Sequence, residues 1–327
     1  MNGVRGKLIR GDASPIERES KLPVSAPTNY HHVKIMLRIF PLPFFLALLF
    51  TFANSAKSAA NDGVRVLADL PYKHGDTLTD YEQQRCKLDV YLPKDAKNFA
   101  TLVWFHGGGL KNGDKGGTKD DTVRTPQIAR SLASSGIAVV APNYRLSPKA
   151  KFPAYVQDAA AAVAWARAHI AEHGGDAKKI FVGGHSAGGY LTLMLGMDAH
   201  FLNDAGVNVS DISGFIPVSG QVMTHYTILG ERGLGKLAVM ADDAAPIHFA
   251  RAKTQPFLVL YADHDMAARA EENAYFVAVL QGASNKSITG QLIADRTHGS
   301  IASKMVNDGD PARTAILEFI RTNSAPR

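Results

Sequence analysis

Short apolar runs alternate with segments of helical periodicity along the chain after residue 61. The apolar runs are five to seven residues long and rich in β-branched or large apolar side chains, which is typical of buried strands. Strands that alternate with helices form βαβ units around a parallel sheet. We therefore predict an α/β fold with a mainly parallel central sheet flanked by helices. The predicted strands are residues 88–92, 101–105, 137–141, 179–183, 214–218, 257–262 and 287–293.

The clearest helical pattern covers residues 155–173. Its apolar side chains, among them Val156, Val163 and Ile170, recur at helical spacing, and a glycine pair at 174–175 ends the pattern. The predicted elements extend over residues 61–327, a length that suits a single large α/β domain. Further helices are predicted at 126–135, 187–197, 269–281 and 312–322.

The first 60 residues differ in character from this domain. Residues 36–60 begin with a basic Arg38, continue with about fifteen apolar residues and end in small residues, which is the pattern of a secretory signal peptide. The apolar run is short for a membrane span, which needs about 20 residues, although an uncleaved anchor is the alternative. Residues 1–35 are polar and without periodicity, and we interpret them as an upstream extension before a start at Met36. The protein is therefore expected to be exported, periplasmic or secreted.

The net charge of +6 does not indicate a nucleic-acid partner. The first 60 residues hold eight of the 36 basic residues and three of the 30 acidic residues, which leaves 28 and 27 in the rest of the chain. A phosphate-binding surface needs a concentration of Lys and Arg on the folded body. We therefore expect no nucleic-acid binding.

A serine pentapeptide lies at a junction between a predicted strand and a predicted helix. It reads Gly184-His185-Ser186-Ala187-Gly188. In this context a G-x-S-x-G sequence forms a tight turn that exposes the serine hydroxyl, and the helix N-terminus favours negative charge beside it. Glycine is frequent in this chain, so a glycine-rich turn without chemistry is the alternative. The position between strand and helix favours Ser186 as a nucleophile.

A glycine loop follows the predicted strand at 101–105 and reads His106-Gly107-Gly108-Gly109. Such a loop can direct backbone N–H groups at an oxyanion, together with the N–H of Ala187. The alternative, a phosphate-binding loop, requires G-x-x-x-x-G-K-[ST], which does not follow here. The sequence therefore favours an oxyanion hole, with His106 stabilising the loop.

Candidate acids and a candidate base follow the last two predicted strands. Asp263 and Asp265 come after residues 257–262, and His298 comes after the final strand. Side chains at the carboxyl ends of parallel strands meet at the edge of the sheet where ligands bind. We therefore expect His298 and one of the aspartates to lie close to Ser186, where they could act as base and orienting acid.

From about Leu67 to the C-terminus, the chain resembles bacterial carboxylesterases of the hormone-sensitive-lipase-like and feruloyl-esterase-like group. The matching segments include LDVYLP, WFHGGG, APNYRLSPKAKFPAYVQD, KIFVGGHSAGG, APIHFARAKTQPFLVLYADHD and THGSI. The resemblance implies the α/β-hydrolase fold with a small cap or none, and it implies no metal and no organic cofactor. It assigns Ser186 as nucleophile, His298 as general base, Asp265 as acid, and Gly108, Gly109 and Ala187 as oxyanion donors.

The acid is the one position where the chain departs from this group. The group usually has D-P-L or D-x-x-V-P after this strand, whereas here the residues from Asp263 onward read DHDMAAR. Asp265 fits the group's offset from the strand better than Asp263. The other aspartate is expected to cap a turn.

The resemblance implies a serine hydrolase that acts on small-molecule carboxylic esters, with short-acyl or aryl esters favoured. An amidase, a formamidase or a peptidase on the same scaffold is the alternative, because the same triad cleaves amides. A non-catalytic binding module is a third hypothesis, since a fold does not determine a function. The sequence says nothing of the oligomeric state.

Three further patterns have interpretations of their own. His169–His173 matches the zinc-peptidase pattern H-x-x-E-H, but it falls at the end of a predicted helix without a further ligand, so a solvated helix end is favoured. Arg145 and Asp158 are predicted to form a structural contact. Residues 220–250 have no clear periodicity, and either a small lid or a surface excursion fits them.

Overall fold

A single sheet organises the computed structural model of the protein, which describes residues 63–117, 124–235 and 238–325. Within these residues the sheet has eight strands. They are β1 (Val64–Pro71), β2 (Lys87–Pro93), β3 (Phe99–Phe105), β4 (Ala138–Pro142), β5 (Gly175–His185), β6 (Ile212–Val218), β7 (Phe257–His264) and β8 (Ile288–Thr297).

The strands lie in the order β1-β2-β4-β3-β5-β6-β7-β8. The β1–β2 and β2–β4 pairs are antiparallel, and the five remaining neighbour pairs are parallel. All seven predicted strands are present, so the predicted α/β architecture with a mainly parallel sheet is confirmed. β1 was not predicted, because it is an edge strand with a mixed burial pattern and a register shift between Leu67 and Leu70.

Helices follow most of the strands, as predicted. The predicted helix at 155–173 is α3 continued by a 3₁₀ turn, and it ends at Gly174 with φ of +95°. The short α1 was not predicted. The helices are α1 (Asp80–Arg85), α2 (Thr125–Ala133), α3 (Ala154–His169), α4 (Ala187–Met197), α5 (His200–Asp204), α6 (Tyr226–Glu231), α7 (Arg269–Gly282), α8 (Ser300–Ser303) and α9 (Pro311–Asn323).

The sheet has an apolar core on each face. Side chains of α3, α4 and α7 contribute to the core on one face, and those of α2, α8 and α9 contribute to the core on the other. Along β3, Val103 and Phe105 belong to the first core, while Leu102 and Trp104 belong to the second. Successive side chains of a strand point to opposite faces, so a strand buried on both faces is an almost continuous apolar run. Burial on both sides fixes the strand ends that carry the candidate site.

The predicted upstream extension (residues 1–35) and signal peptide (residues 36–60) lie outside the described residues. Within the described ranges, no helix combines the length and apolar character that crossing a membrane requires.

Candidate active site

Ser186 occupies the sharp turn between β5 and α4. Its backbone has φ of 57° and ψ of −114°, and its N–H donates to the carbonyl of Val218 at 2.9 Å. A non-glycine residue with positive φ is strained, and such strain persists only where the surroundings enforce it. The turn places the hydroxyl at the carboxyl edge of the sheet, where the sequence predicted it.

The two glycines of the pentapeptide are needed for packing. A Cβ on Gly184 would lie 2.7 Å from the carbonyl oxygens of Phe105 and Gly188, and a Cβ on Gly188 would overlap the Phe105 carbonyl. Backbone atoms cannot move aside as a flexible side chain can. The turn therefore packs directly on the end of β3, and this contact brings the glycine loop beside Ser186.

His298 connects Ser186 to Asp265. Its Nε2 lies 2.8 Å from Oγ of Ser186, and its Nδ1 lies 2.5 Å from Oδ1 of Asp265. The Asp265 side chain is fully buried, whereas that of His298 is 21% exposed. The structure thus joins the three side chains in one hydrogen-bonded series.

Asp265 is ionised in this environment. Burial alone would raise the pKa of its carboxyl, but hydrogen bonds from His298, from the Ser219 hydroxyl at 2.5 Å and from the Met266 N–H at 2.8 Å outweigh burial and lower the pKa. With Asp265 as acceptor, Nδ1 of His298 carries the proton, and Nε2 is free to accept one from Ser186.

Asp263 has a different set of contacts. Its carboxylate accepts hydrogen bonds from the backbone N–H groups of His264, Asp295 and Arg296 at 2.8–3.0 Å. Asp263 therefore ties the end of β7 to the end of β8, while Asp265 is the aspartate that contacts His298.

His185 also contacts His298, and the sequence did not predict this contact. Its Nε2 lies 2.6 Å from the backbone carbonyl of His298, and the two rings are 4.8 Å apart. Burial lowers the pKa of His185 to about 3, so the ring is neutral, and its Nε2–H donates to that carbonyl. The serine pentapeptide identifies His185 in the sequence, but its hydrogen-bond partner His298 lies 113 residues further along the chain.

The glycine loop approaches the turn closely. A Cβ on Gly107 would lie 3.3 Å from Cβ of Ser186, and Gly108 and Gly109 have φ of +108° and +63°. None of the described residues accepts a hydrogen bond from the backbone N–H of Gly108 or Gly109. These two donors are therefore available to a bound group.

His106 holds the loop, as the sequence predicted. Its Nδ1 lies 2.7 Å from the Gly107 carbonyl, and its ring stacks on Tyr144 at 4.4 Å. The Tyr144 hydroxyl donates to the His106 carbonyl at 2.8 Å. A fixed Gly107 carbonyl also fixes the Gly108 N–H, because both belong to one planar peptide group.

Arg85 contacts His106 and was not identified from the sequence as part of the site. Its guanidinium donates to the Gly113 carbonyl at 2.6 Å and to Asp114 at 2.7 Å, and it lies 3.3 Å from Nε2 of His106. Arg85 is the last residue of α1, which begins at a capping box formed by Thr79 and Glu82. This S/T-x-x-E sequence is the signal from which α1 could have been predicted.

Residues from the segment at 220–250 also contact the loop. This segment contains α6 and a 3₁₀ turn at Pro246–Phe249. The Thr227 hydroxyl donates to the carbonyl of Gly109 at 2.5 Å. The start of α6 is therefore attached to the glycine loop.

The remaining residues that the sequence singled out make structural contacts. Arg145 binds Asp158 through Nε and Nη2 at 2.8 Å, so the predicted contact is present. His169, the last residue of α3, contacts Glu172 at 3.0 Å in the 3₁₀ turn that follows, and both side chains are exposed. Within the part of the chain that the structure describes, no group of three His, Cys, Asp or Glu side chains is arranged to hold a metal ion.

Comparison with protein families and curated proteins gives a consistent set of relatives. A family model described as BD-FAE matches residues 88–280. Esterase LipC of Mycobacterium tuberculosis is 25% identical over 232 residues, which cover 65% of this chain and 56% of that protein. Carboxylesterase NlhH of the same organism is 29% identical over 220 residues, which cover 66% of this chain and 61% of that protein. The chain therefore spans less than two thirds of the length of these relatives.

Solved structures give the same fold. A truncated carbohydrate esterase from gut microbiota superposes with a TM-score of 0.65 at 19% identity, covering 81% of this chain and 98% of that one. Esterase B from Lactobacillus rhamnosis (HN001) superposes with a TM-score of 0.64 at 18% identity, covering 80% and 86%. The α/β-hydrolase fold that the sequence resemblance implied is confirmed.

Proposed function

Because the chain belongs to the BD-FAE family, we propose that it is a serine hydrolase of carboxylic esters, with Ser186, His298 and Asp265 as its catalytic triad. The observation that carries the proposal is the continuous hydrogen-bonded series from Ser186 Oγ through both nitrogens of His298 to Asp265. A nucleophile, a base and an orienting acid in this relation form the arrangement that activates a serine. The relatives named esterase and carboxylesterase support the ester as substrate.

The first half of the reaction acylates Ser186. Nε2 of His298 accepts the hydroxyl proton as Oγ bonds to the acyl carbon, and the carbonyl π electrons move to oxygen. Asp265 stabilises the imidazolium that forms. The tetrahedral intermediate then collapses, the bond between carbon and alkoxy oxygen breaks, and the alcohol leaves with the proton from His298.

The second half releases the acid. Water gives a proton to Nε2 of His298 as its oxygen bonds to the acyl carbon. Collapse of the second tetrahedral intermediate breaks the bond to Oγ, and His298 returns the proton to Ser186. The proposed cycle uses only side chains, backbone amides and water.

Backbone donors stabilise the negative charge of both intermediates. We assign this role to the N–H groups of Gly108, Gly109 and Ala187. Ala187 is the first residue of the 11-residue α4, where the helix dipole also favours an anion. Removal of one oxyanion donor typically lowers kcat by about 10²–10³.

Hydrolysis of p-nitrophenyl esters from acetate to palmitate tests the proposal. We expect turnover of short acyl chains that is lost in Ser186→Ala and kept in the matched control Ser213→Ala. Ser213 lies on β6, and its hydroxyl donates to the backbone carbonyl of Lys178 on β5. Preference for long chains would contradict the short-acyl assignment. Turnover that survives in Ser186→Ala would overturn the nucleophile. No ester turnover by the folded protein, with release of p-nitroaniline from anilides, would favour an amidase.

We also propose that residues 36–60 direct export. The support is their basic start, apolar run and small-residue end. Expression of the protein from Met36 in a bacterial host, with N-terminal sequencing of the periplasmic fraction, tests this. A mature N-terminus between Ala56 and Asn61 is expected, and an uncleaved protein in the cytoplasm would contradict it.

A further inference from the structure

A tyrosine hydroxyl lies against the glycine loop. A Cβ built on Gly109 would overlap the hydroxyl oxygen of Tyr226 and would lie 3.1 Å from Cζ of that ring. The hydroxyl therefore occupies the space beside the Cα of Gly109, next to one of the two free loop amides. Tyr226 is the first residue of α6 and is half-buried.

The backbone and neighbours of Tyr226 fix its position. Its N–H donates to Oε1 of Gln221 at 3.3 Å, and its ring lies 4.3 Å from the ring of His225. The next residue, Thr227, donates its hydroxyl to the carbonyl of Gly109 at 2.5 Å. Two consecutive residues of α6 thus contact the same glycine, and these contacts hold the phenol beside the glycine loop.

The phenol group is available as a donor. None of the described residues forms a hydrogen bond with the Tyr226 hydroxyl, whereas Tyr72, Tyr144 and Tyr190 each donate theirs to a backbone carbonyl. Burial raises the pKa of Tyr226, although the nearby Arg269 opposes this, so the hydroxyl keeps its proton at neutral pH. A half-buried hydroxyl without a protein partner, beside free amides, can donate to a bound substrate.

We propose that Tyr226 is a further catalytic residue, whose hydroxyl donates a hydrogen bond to the oxyanion of the tetrahedral intermediate. The inference rests on the proposed esterase function and adds a side-chain donor to the backbone donors. The hydroxyl transfers no proton; it supplies a dipole that is already oriented when the negative charge forms. Its contribution is therefore greatest in the transition state.

The substitution Tyr226→Phe removes only this hydroxyl. We expect kcat and kcat/KM to fall by the same factor, about tenfold or more, with KM unchanged, because a donor that acts only in the transition state leaves substrate binding intact. Affinity for a trifluoromethyl ketone, which forms a tetrahedral adduct with serine, should fall by a similar factor. Tyr275→Phe, which removes an exposed hydroxyl from α7, is the matched control and should match the unsubstituted protein.

Each outcome supports or overturns the role of Tyr226. A loss of kcat that is equal for ethyl and p-nitrophenyl esters supports the oxyanion contact. A loss confined to ethyl esters overturns it in favour of a contact with the leaving oxygen. An unchanged kcat with a raised KM overturns it and indicates that Tyr226 only contributes to substrate binding. In all three cases the unsubstituted protein is active, whereas an inactive unsubstituted protein would overturn the proposed function itself.

Discussion

Replacement of Asp265 by Asn tests the proposed triad at the one position where the sequence allowed two assignments. All four groups that contact the carboxylate are donors in the structure: Nδ1 of His298 and the Met266 N–H at Oδ1, and the Ser219 hydroxyl and the Ala262 N–H at Oδ2. An Asn side chain has one acceptor oxygen and one NH₂ group. In the variant, the NH₂ group must therefore face one of the two pairs of donors, either the pair at the Oδ1 position or the pair at the Oδ2 position.

The expected loss follows from this contact set. If NH₂ faces His298, Nδ1 must give up its proton, and Nε2 then carries one and cannot accept the proton of Ser186. If NH₂ faces Ser219, the imidazolium still loses the negative charge that stabilises it. By analogy with other triads we expect kcat to fall by about 10⁴, which corresponds to about 5 kcal/mol in the activation barrier.

Asp263→Asn is the matched control, two residues away and with the same chemical change. The Asp263 carboxylate holds backbone N–H groups at the ends of β7 and β8. We expect a kcat close to that of the unsubstituted protein, with any effect confined to the thermal unfolding temperature.

The assay is steady-state hydrolysis of p-nitrophenyl acetate by both variants, with unfolding followed by circular dichroism. A large loss in Asp265→Asn with a native unfolding transition is the predicted result. Equal losses in the two variants, or a larger loss in Asp263→Asn, would refute the assignment of the acid.

Two further predictions concern the turn around Ser186. Gly188→Ala places a Cβ against backbone atoms at the end of β3, and we expect it to destabilise the fold by about 1–3 kcal/mol. Gly282→Ala has no atom within 4 Å of the new Cβ and should stabilise α7 by up to about 1 kcal/mol; the same urea midpoint for both variants would contradict this. His185 has a pKa lowered from 6.5 to about 3, so between these values the unfolded chain binds a proton that the native protein does not, and stability falls as the pH falls. In His185→Asn the unfolding constant should therefore rise less steeply as the pH falls, by up to about a factor of ten per pH unit. Urea titrations of both proteins from pH 7 to 4 measure this, and equal pH dependence in the two would contradict the reasoning.

Local signals in the sequence predict the strands that are buried on both faces. β3 is buried at each of its seven positions and apolar at all of them except Thr101, because both sheet faces are covered. Such a run is recognised without knowledge of its neighbours. The edge strand β1 lacks this signal, because the burial of its residues varies and its register shifts at Asp69, where φ is 58°. Antiparallel pairing with β2 stabilises it, and a single segment does not show that pairing.

The same distinction applies to the candidate site. Ser186, Asp265 and His298 each follow a predicted strand, so the rule for parallel sheets predicts that they lie at one edge. Arg85 and Tyr226 lie on short helices without strong periodicity, and their importance depends on which parts of the glycine loop they contact. Those contacts arise from tertiary packing between segments far apart in the chain.

The central claim is that Ser186 forms the covalent intermediate. Incubation of the full-length protein with diethyl p-nitrophenyl phosphate, followed by peptide mass spectrometry, tests it most directly, because attack by the serine releases p-nitrophenol and leaves a stable diethylphosphoryl group. The account predicts a single adduct, on the peptide that contains Ser186, and none in Ser186→Ala. An adduct on another residue, or undiminished labelling of Ser186→Ala, would contradict it.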